Sequence, residues 1–168
     1  MAEAASVLAL EPLTEQNLPL VLAIRREDVS EDFVDSAASL WELTQYGAEH
    51  GCLGRTFAVM LGEACVGVLL LGEAIPWETD PPEMAREPFY RLMGFIMDRQ
   101  YRGRGLGGRA LELAVQRVYQ EFGARPIALG VHRDNRAAQR FYLRQGFVKT
   151  KYMEGNDVYF LRYPIKKS

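Results

Sequence analysis

A glycine-rich turn over residues 100–108 is the stretch whose residue types most clearly indicate chemistry. It reads Gln-Tyr-Arg-Gly-Arg-Gly-Leu-Gly-Gly, after an apolar segment (residues 92–97) and before a long helical pattern. Glycines expose consecutive main-chain N–H groups, and the start of a helix adds free amides and a partial positive charge. Arg102 and Arg104 contribute two full charges. The turn therefore predicts a phosphate-binding site.

Three other interpretations of the turn are a P-loop, a dinucleotide-binding turn and a helix start that binds nothing. A P-loop would end in Gly-Lys followed by Ser or Thr, which is absent. A dinucleotide-binding fold would carry its glycines in the first strand–helix unit, whereas this turn lies past the middle of the chain. For the turn taken alone, a helix start without a ligand remains open.

A second motif runs from Asn135 to Phe147 and reads Asn-Arg-Ala-Ala-Gln-Arg-Phe-Tyr-Leu-Arg-Gln-Gly-Phe. Together with the turn, it resembles the GNAT superfamily of N-acetyltransferases, which bind acetyl-CoA. The turn fits the family pattern Gln/Arg-x-x-Gly-x-Gly in two registers, starting at Gln100 or at Arg102, and the second motif fits at every anchor residue. The resemblance is sharp over residues 92–147 and general elsewhere.

The resemblance implies acetyl-CoA (coenzyme A) as co-substrate and no metal. It also implies that main-chain groups at the end of the central strand pair with the pantetheine arm. The expected cofactor-binding residues are Phe95, Ile96, Met97, Arg102, Gly103, Arg104, Gly105, Leu106, Gly107, Gly108, Asn135, Ala138 and Tyr142.

Tyr142 is the candidate general acid. Acyl transfer to an amine needs a neutral amine, a polarised thioester carbonyl and a proton for the departing thiolate, and a phenol held near the sulfur can supply that proton. Its alternative role is helix packing with the hydroxyl in water. A main-chain N–H of the central strand can polarise the carbonyl. The sequence shows no Ser/His/Asp or Cys/His set, which favours direct transfer over an acyl-enzyme.

The general base is left open by the sequence. Some family members place a Glu on the central strand, but residues 89–97 contain none. Glu87 is the first candidate, Glu83 and Glu73 are the others, each acting through water, and deprotonation by solvent is a further alternative.

The charge distribution suggests how the two substrates are divided. Residues 1–90 contain 4 of the 20 Lys and Arg and 16 of the 22 Asp and Glu, so they carry a formal charge of −12 and the remainder carries +10. A positive half suits an anionic cofactor, and a negative half suits a cationic acceptor. The alternative is that both are ordinary solvated surfaces.

An acidic, proline-containing loop over residues 72–88 lies before the central strand in the sequence. Its length and charge predict part of the acceptor pocket or its lid. The candidate acceptor-binding residues are Glu73, Trp77, Glu78, Asp80 and Glu83.

The elements that must position these residues follow from the periodicity of apolar side chains. Thr14 can cap a helix over residues 15–24, and helices are also predicted over residues 37–49, over residues 106–122 with Gly123 as the stop, and from Asn135. Strands are predicted over residues 7–10, 56–61, 65–71, 89–97, 127–131, 148–153 and 157–163. The family resemblance implies a mixed α/β fold: a mostly antiparallel twisted sheet of about seven strands flanked by about four helices, in one domain over residues 1–168.

The predicted function is transfer of an acetyl group from acetyl-CoA directly to a primary amine of a small cationic acceptor, with polyamines such as spermidine or spermine first. Residues 89–103 also resemble bacterial diamine and polyamine acetyltransferases. The alternatives are an aminoglycoside or protein N-terminal acetyltransferase, and a non-catalytic acyl-CoA-binding module. The expected partner is a small-molecule amine rather than nucleic acid or a membrane. The expected location is the cytoplasm, because neither Cys52 nor Cys65 sits in a pairing motif. Assembly into a homodimer is left open.

Overall fold

The computed structural model describes residues 7–30 and 33–165. Within these ranges seven strands form one sheet: β1 (Leu8–Pro12), β2 (Gly54–Leu61), β3 (Ala64–Glu73), β4 (Tyr90–Met97), β5 (Ile127–His132), β6 (Val148–Glu154) and β7 (Asp157–Arg162). The same ranges contain five helices and one 3₁₀ turn: α1 (Leu18–Leu22), α2 (Ala37–Glu49), α3 (Glu83–Arg86), α4 (Leu106–Phe122), α5 (Arg136–Arg144) and the turn Arg99–Tyr101.

The strand order is β1-β2-β3-β4-β5-β7-β6, and every neighbouring pair is antiparallel except β4 and β5. This confirms the predicted mixed, mostly antiparallel sheet. The parallel strands β4 and β5 pair only at Tyr90 with Ile127 and at Arg91 with Ala128. Beyond Arg91 they separate, so the sheet opens into a V between them.

Gly94 marks a bend in β4, three residues beyond the last residue that pairs with β5. The register of β4 against β3 shifts here, and Gly94 has a φ of 62°, the pattern of a β-bulge, which bends a strand. A Cβ at Gly94 would lie 2.4 Å from the Leu40 side chain of α2, so the position also lacks room for any other residue. The bulge helps to form the cleft described below.

Helices cover both faces of the sheet. On one face, α4 buries the stripe formed by Ala110, Leu111, Ala114 and Val118, which recur at helical spacing. On the other face, α1 and α2 contribute Val21 and Leu40 to a cluster with apolar residues of β2, β3 and β4. None of the helices in the described ranges combines the length and apolarity needed to cross a bilayer.

Two elements differ from the sequence-based predictions. The first helix begins at Leu18 rather than at residue 15, because Thr14 and Asn17 bond each other: each main-chain N–H donates to the other's side-chain oxygen, at 2.8 and 3.3 Å. These bonds close a turn before the helix. The predicted loop over residues 72–88 begins later than expected, because Glu73 still belongs to β3, and it contains the short helix α3.

Candidate active site

A cleft of about 470 Å³ lies where β4 and β5 separate. The end of β4 forms one wall, the glycine-rich turn and the start of α4 form the floor, and α5 forms the opposite wall. All the predicted cofactor-binding residues except Arg104 line it. Lining residues that the sequence analysis missed are Val29, Val34, Tyr101, Ala137, Phe141, Arg144 and Gln145.

The start of α4 is open toward the cleft because Gly105 is its N-cap. Gly105 has a φ of 73°, in the left-handed region that favours glycine, and no side chain caps the first turn of the helix. Gly108 packs closely against α5: a Cβ there would lie 3.0 Å from the side-chain amide of Gln145, which would have to shift slightly. The first-turn amides of a 17-residue helix are therefore left uncapped beside the cleft, which is the arrangement that binds an anion.

The two arginines of the turn have different surroundings. Arg102 lines the cleft, donates from Nε to the Met97 carbonyl at 3.0 Å and forms an ion pair with Asp28. Its Nη2 is buried without a hydrogen-bond partner in the described part of the chain. Arg104 is exposed, donates to the Gln100 carbonyl at 3.3 Å and lies beside the Tyr101 ring. Arg102 is thus the arginine positioned for an anion in the cleft.

Tyr142 lies at the junction of this cleft and a second cavity. Its side chain is 8% exposed and packs edge-on against Phe141 and Phe147, with ring centroids 5.1 and 5.5 Å away. The hydroxyl has no hydrogen-bond partner among residues 7–30 and 33–165. Burial raises the pKa of the phenol above its usual value, so the group stays protonated at neutral pH. A protonated, unpartnered hydroxyl is what a proton donor requires.

Asn135 has the structural role expected of a helix cap. Its Oδ1 accepts a hydrogen bond from the Ala138 N–H at 3.2 Å at the start of α5. The same residue lines both the cleft and the second cavity, so the cap does not remove it from the site.

The second cavity, of about 290 Å³, lies on the other side of Tyr142 and is named here the acceptor cavity. It shares Val34, Phe95, Asn135, Ala138 and Tyr142 with the cleft. Three carboxylates line it: Asp35 before α2, Glu154 at the end of β6 and Asp157 at the start of β7. Burial, followed by repulsion from neighbouring carboxylates, raises the pKa of both Glu154 and Asp157.

Comparison with known families identifies this arrangement. The sequence profile of the acetyltransferase (GNAT) family matches residues 21–147, most of the chain. This chain belongs to the GNAT family. It is an acetyl-CoA-dependent N-acetyltransferase, with acetyl-CoA as the co-substrate. No curated protein sequence matches it at a significant level.

Solved structures of similar fold include three acetyltransferases with coenzyme A bound. PaiA N-acetyltransferase from Thermoplasma acidophilum is 16% identical with a TM-score of 0.69, covering 94% of this chain and 99% of the other. Aminoglycoside acetyltransferase AAC(6')-Ib is 17% identical with a TM-score of 0.70, covering 94% and 95%. Spermidine N-acetyltransferase from Vibrio cholerae, with spermine also bound, is 16% identical with a TM-score of 0.63, covering 92% of each chain. At these identities the likeness shows the fold.

The predicted acceptor-binding residues do not lie together in the structure of this GNAT enzyme. Of these, only Trp77 lines the acceptor cavity. Glu73 lines a different cavity, beside α2, and accepts a hydrogen bond from the Leu53 N–H at 3.2 Å. The remaining acidic candidates, Glu78, Asp80, Glu83 and the candidate base Glu87, are not among the residues that line the acceptor cavity or the cleft.

Asp80 is engaged in packing the loop against the sheet. Its carboxylate forms a two-pronged ion pair with buried Arg91, at 3.0 and 3.1 Å, and accepts from the Tyr159 hydroxyl at 2.8 Å and the Trp77 N–H at 2.9 Å. Burial alone would raise the pKa of Asp80, but these hydrogen bonds hold it below its usual value. Trp77 stacks on the Arg91 guanidinium, 3.7 Å from the ring centroid. The loop therefore directs this carboxylate toward Arg91, and it lines neither the cleft nor the second cavity.

Asp80→Ala should lower the free energy of unfolding by about 3–5 kcal/mol, the usual cost of removing one partner of a buried ion pair. Arg91 is 4% exposed and would be left without its counter-ion. Because the folded-state pKa of Asp80 is lowered, its contribution is present at neutral pH and is lost as the pH falls through that pKa. Urea denaturation at pH 7 measures the change.

Exposed Glu78 provides the matched control, because Glu78→Ala removes the same charge from the same loop. It should change stability by no more than about 0.5 kcal/mol. If both variants unfold at the same urea concentration as the parent, the Asp80–Arg91 pair contributes nothing to the packing of the loop.

Two residues that the sequence analysis missed, Glu154 and Asp157, lie on the hairpin turn between β6 and β7. They belong to the half of the chain with net positive charge, where no acceptor site was sought. The available signal was the turn itself: Gly155-Asn156 is flanked by acidic residues on both strands. Within the described ranges, no group of three or more His, Cys, Asp or Glu side chains is arranged to hold a metal ion.

Proposed function

We propose that this enzyme transfers the acetyl group directly to a primary amine of a small acceptor with more than one positive charge, and that polyamines such as spermidine or spermine are the first candidates. One observation carries the proposal: Asp35, Glu154 and Asp157 line a cavity that meets the cofactor cleft at Tyr142. Carboxylates beside the reaction centre attract ammonium groups and disfavour anionic acceptors.

The charge balance of the acceptor cavity supports a polycation. Arg91 is the one Lys or Arg among the residues lining it, and its charge is neutralised by Asp80. The negative charge of the three lining carboxylates is therefore not balanced by any other Lys or Arg that lines the cavity. An acceptor with two or three ammonium groups would match this excess better than a monoamine. The spermidine acetyltransferase of similar fold, solved with spermine, is compatible with this proposal.

The cleft suits coenzyme A in three respects. The uncapped first turn of α4 and Arg102 can hold the diphosphate. The edge of β4 beyond Arg91 has no pairing with β5, which leaves main-chain groups at residues 95–97 for the pantetheine arm. The acetyl group would then lie at the junction beside Tyr142, where the acceptor cavity begins.

Direct transfer is favoured because neither cysteine lines the cleft or the acceptor cavity. Both Cys52 and Cys65 are free thiols, which fits the reducing cytoplasm proposed as the location. We assign the protonation of the departing thiolate to Tyr142, which lines both the cofactor cleft and the acceptor cavity and whose hydroxyl has no partner among the described residues.

A thiol-release assay with acetyl-CoA over a set of amines tests the proposal. The set contains spermidine, spermine, a short diamine, an aminoglycoside, a peptide with a free N-terminus and a simple alkylamine. The expected result is the highest kcat/KM with a polyamine and a much lower value with the alkylamine. A higher value with the aminoglycoside or the peptide would overturn the polyamine assignment, and no thiol release with any amine would overturn acetylation of a small amine altogether.

A further inference from the structure

Glu154 and Asp157 lie directly opposite each other where β6 and β7 join. We propose that these two residues form the acid–base pair that binds the reacting ammonium group of the acceptor and takes its proton. The inference rests on the proposed function and names the base that the sequence left open. Glu87, the candidate from sequence, is exposed and lines neither the cleft nor the acceptor cavity.

The two carboxylates lie close together, Glu154 exposed and Asp157 partly buried. Residues directly opposite on antiparallel strands have Cβ atoms only about 4.5–5.5 Å apart, and like charges in such pairs are destabilising. The side-chain carboxylates of Glu154 and Asp157 have no hydrogen bond or salt bridge with any residue that the structure describes. Both line the acceptor cavity. An ammonium group between them would remove the repulsion and supply the missing hydrogen-bond donors.

Tyr142 provides an independent indication that a ligand occupies this space. Its side chain is 92% buried, its hydroxyl has no partner among the described residues, and it lines the same cavity. The cavity therefore offers an unpaired hydroxyl donor from Tyr142 and the carboxylate acceptors of Glu154 and Asp157 at once. Thioester aminolysis needs both kinds of group: an acceptor that takes a proton from the amine and a donor that protonates the departing thiolate.

Gly130 on β5 leaves the space that Asp157 occupies. A Cβ at Gly130 would lie 3.2 Å from the Asp157 Cβ and 3.4 Å from its Oδ2. The φ of Gly130 is outside the left-handed region, so the backbone does not require glycine here. The requirement is space beside the carboxylate, in a residue that itself lines the acceptor cavity.

The surroundings of the pair raise the pKa of both carboxyl groups. Burial is the largest influence, and Asp35 from the segment before α2 and Asp80 behind β4 also disfavour ionisation of the pair. Arg91 from β4 and His132 from β5 act in the opposite direction. The net result is a raised pKa for both carboxyl groups, which makes each a stronger base than a free carboxylate.

The proton balance is complete without another reactant. One carboxylate takes a proton from the ammonium and leaves a neutral amine. The amine nitrogen forms the C–N bond to the acetyl carbon, the C–S bond breaks, and the thiolate takes the Tyr142 proton. The nitrogen's second proton returns to the Tyr142 oxygen, and the carboxylic acid releases its proton to solvent. The sum is one amide, one free thiol and one proton per turnover.

The test uses the double variant Glu154→Gln and Asp157→Asn, with the best acceptor found in the amine set and a weakly basic analogue. The analogue carries two or more fluorine atoms on the carbon β to the reacting nitrogen, so a large share of that amine is already neutral at pH 7. With the basic amine, kcat should fall by about 100- to 10,000-fold, the range of general acid–base catalysis. The loss should shrink as the pH rises toward the pKa of the amine, because solvent then supplies the neutral form. With the fluorinated amine, kcat should change little.

Two controls keep the result interpretable. Glu78→Gln removes a negative charge outside the cavity and should leave kcat and KM unchanged for both amines. The double variant should be at least as stable as the parent at neutral pH, since it removes two carboxylates whose raised pKa values mark an unfavourable charge. A melting curve and calorimetry with coenzyme A check that it is folded and binds its cofactor.

The outcomes separate this inference from the proposed function. Two results would contradict a role as the base if the parent enzyme acetylates amines. The double variant would lose kcat equally with the basic and the fluorinated amine, or it would show a raised KM and an unchanged kcat. The pair would then bind the acceptor without acting as the base. If the parent enzyme acetylates none of the amines, the proposed function itself fails, and the pair has no ammonium to deprotonate.

Discussion

Gly105→Glu should abolish measurable binding of coenzyme A while the protein stays folded. The new carboxylate would stand at the N-cap of α4, where the uncapped amides and Arg102 are placed for a diphosphate. Two unit charges about 4 Å apart repel by about 4 kcal/mol at an effective dielectric constant of about 20, which corresponds to an affinity loss of about 1000-fold. Space is not the obstacle, because nothing lies within 4 Å of a Cβ at this position. Isothermal titration calorimetry with coenzyme A measures the loss.

Gly105→Gln is the matched control for this prediction. Any residue with a Cβ at Gly105 pays roughly 1–2 kcal/mol for the left-handed backbone conformation, so Glu and Gln share the strain and nearly the same volume. The difference in affinity between the two variants therefore isolates the charge. Equal affinities for coenzyme A would show that the diphosphate does not lie at the start of α4.

The sequence predicted the elements best where one local pattern decides the structure. α4 spans Leu106–Phe122 as predicted, because its apolar stripe is long and Gly123 ends it with a φ of 104°. The strands on either side of Gly62-Glu63 and of Gly155-Asn156 were also predicted, and in both cases the two neighbouring strands pair as an antiparallel hairpin. Each of these signals depends on neighbours in sequence, so tertiary contacts do not change it.

The separation of β4 from β5 could not be predicted from a local sequence pattern. It depends on a bulge at Gly94 and on the contact between that backbone and Leu40 of α2, which is far away in the sequence. A glycine inside an apolar strand is a known signal for a bulge. It does not say which neighbouring strand will separate, and that separation decides where the cleft lies.

The cofactor cleft and the acceptor cavity also differ in how far local sequence patterns predict their residues. The candidate cofactor cleft is built mainly from two continuous segments, so its residues could be predicted from motifs. The acceptor cavity combines residues 33–35, 91–95 and 129–131 with Glu154 and Asp157, which only the folded chain brings together. The division of charge between halves of the sequence did not point to this cavity, since two of its three lining carboxylates come from the half with net positive charge.

Tyr142→Phe should lower turnover by about 10- to 1000-fold, in or just below the lower part of the usual range for a general acid. Affinity for acetyl-CoA should change little, because the substitution removes only the hydroxyl. The ring contacts with Phe141 and Phe147 are kept, and no described residue loses a hydrogen-bond partner. Single-turnover measurements with acetyl-CoA and the best amine report the chemical step directly.

Tyr163→Phe makes the same chemical change at an exposed tyrosine after β7 and should leave the single-turnover rate unaltered. The pH dependence adds a second criterion. Because burial raises the pKa of the Tyr142 phenol, the parent enzyme keeps its donor through the neutral and mildly alkaline range, so its rate should not decline there through loss of this proton. A near-normal rate for Tyr142→Phe, with chemistry shown to limit the measurement, would mean that water or another group protonates the thiolate. The unpartnered hydroxyl would then be explained by packing alone.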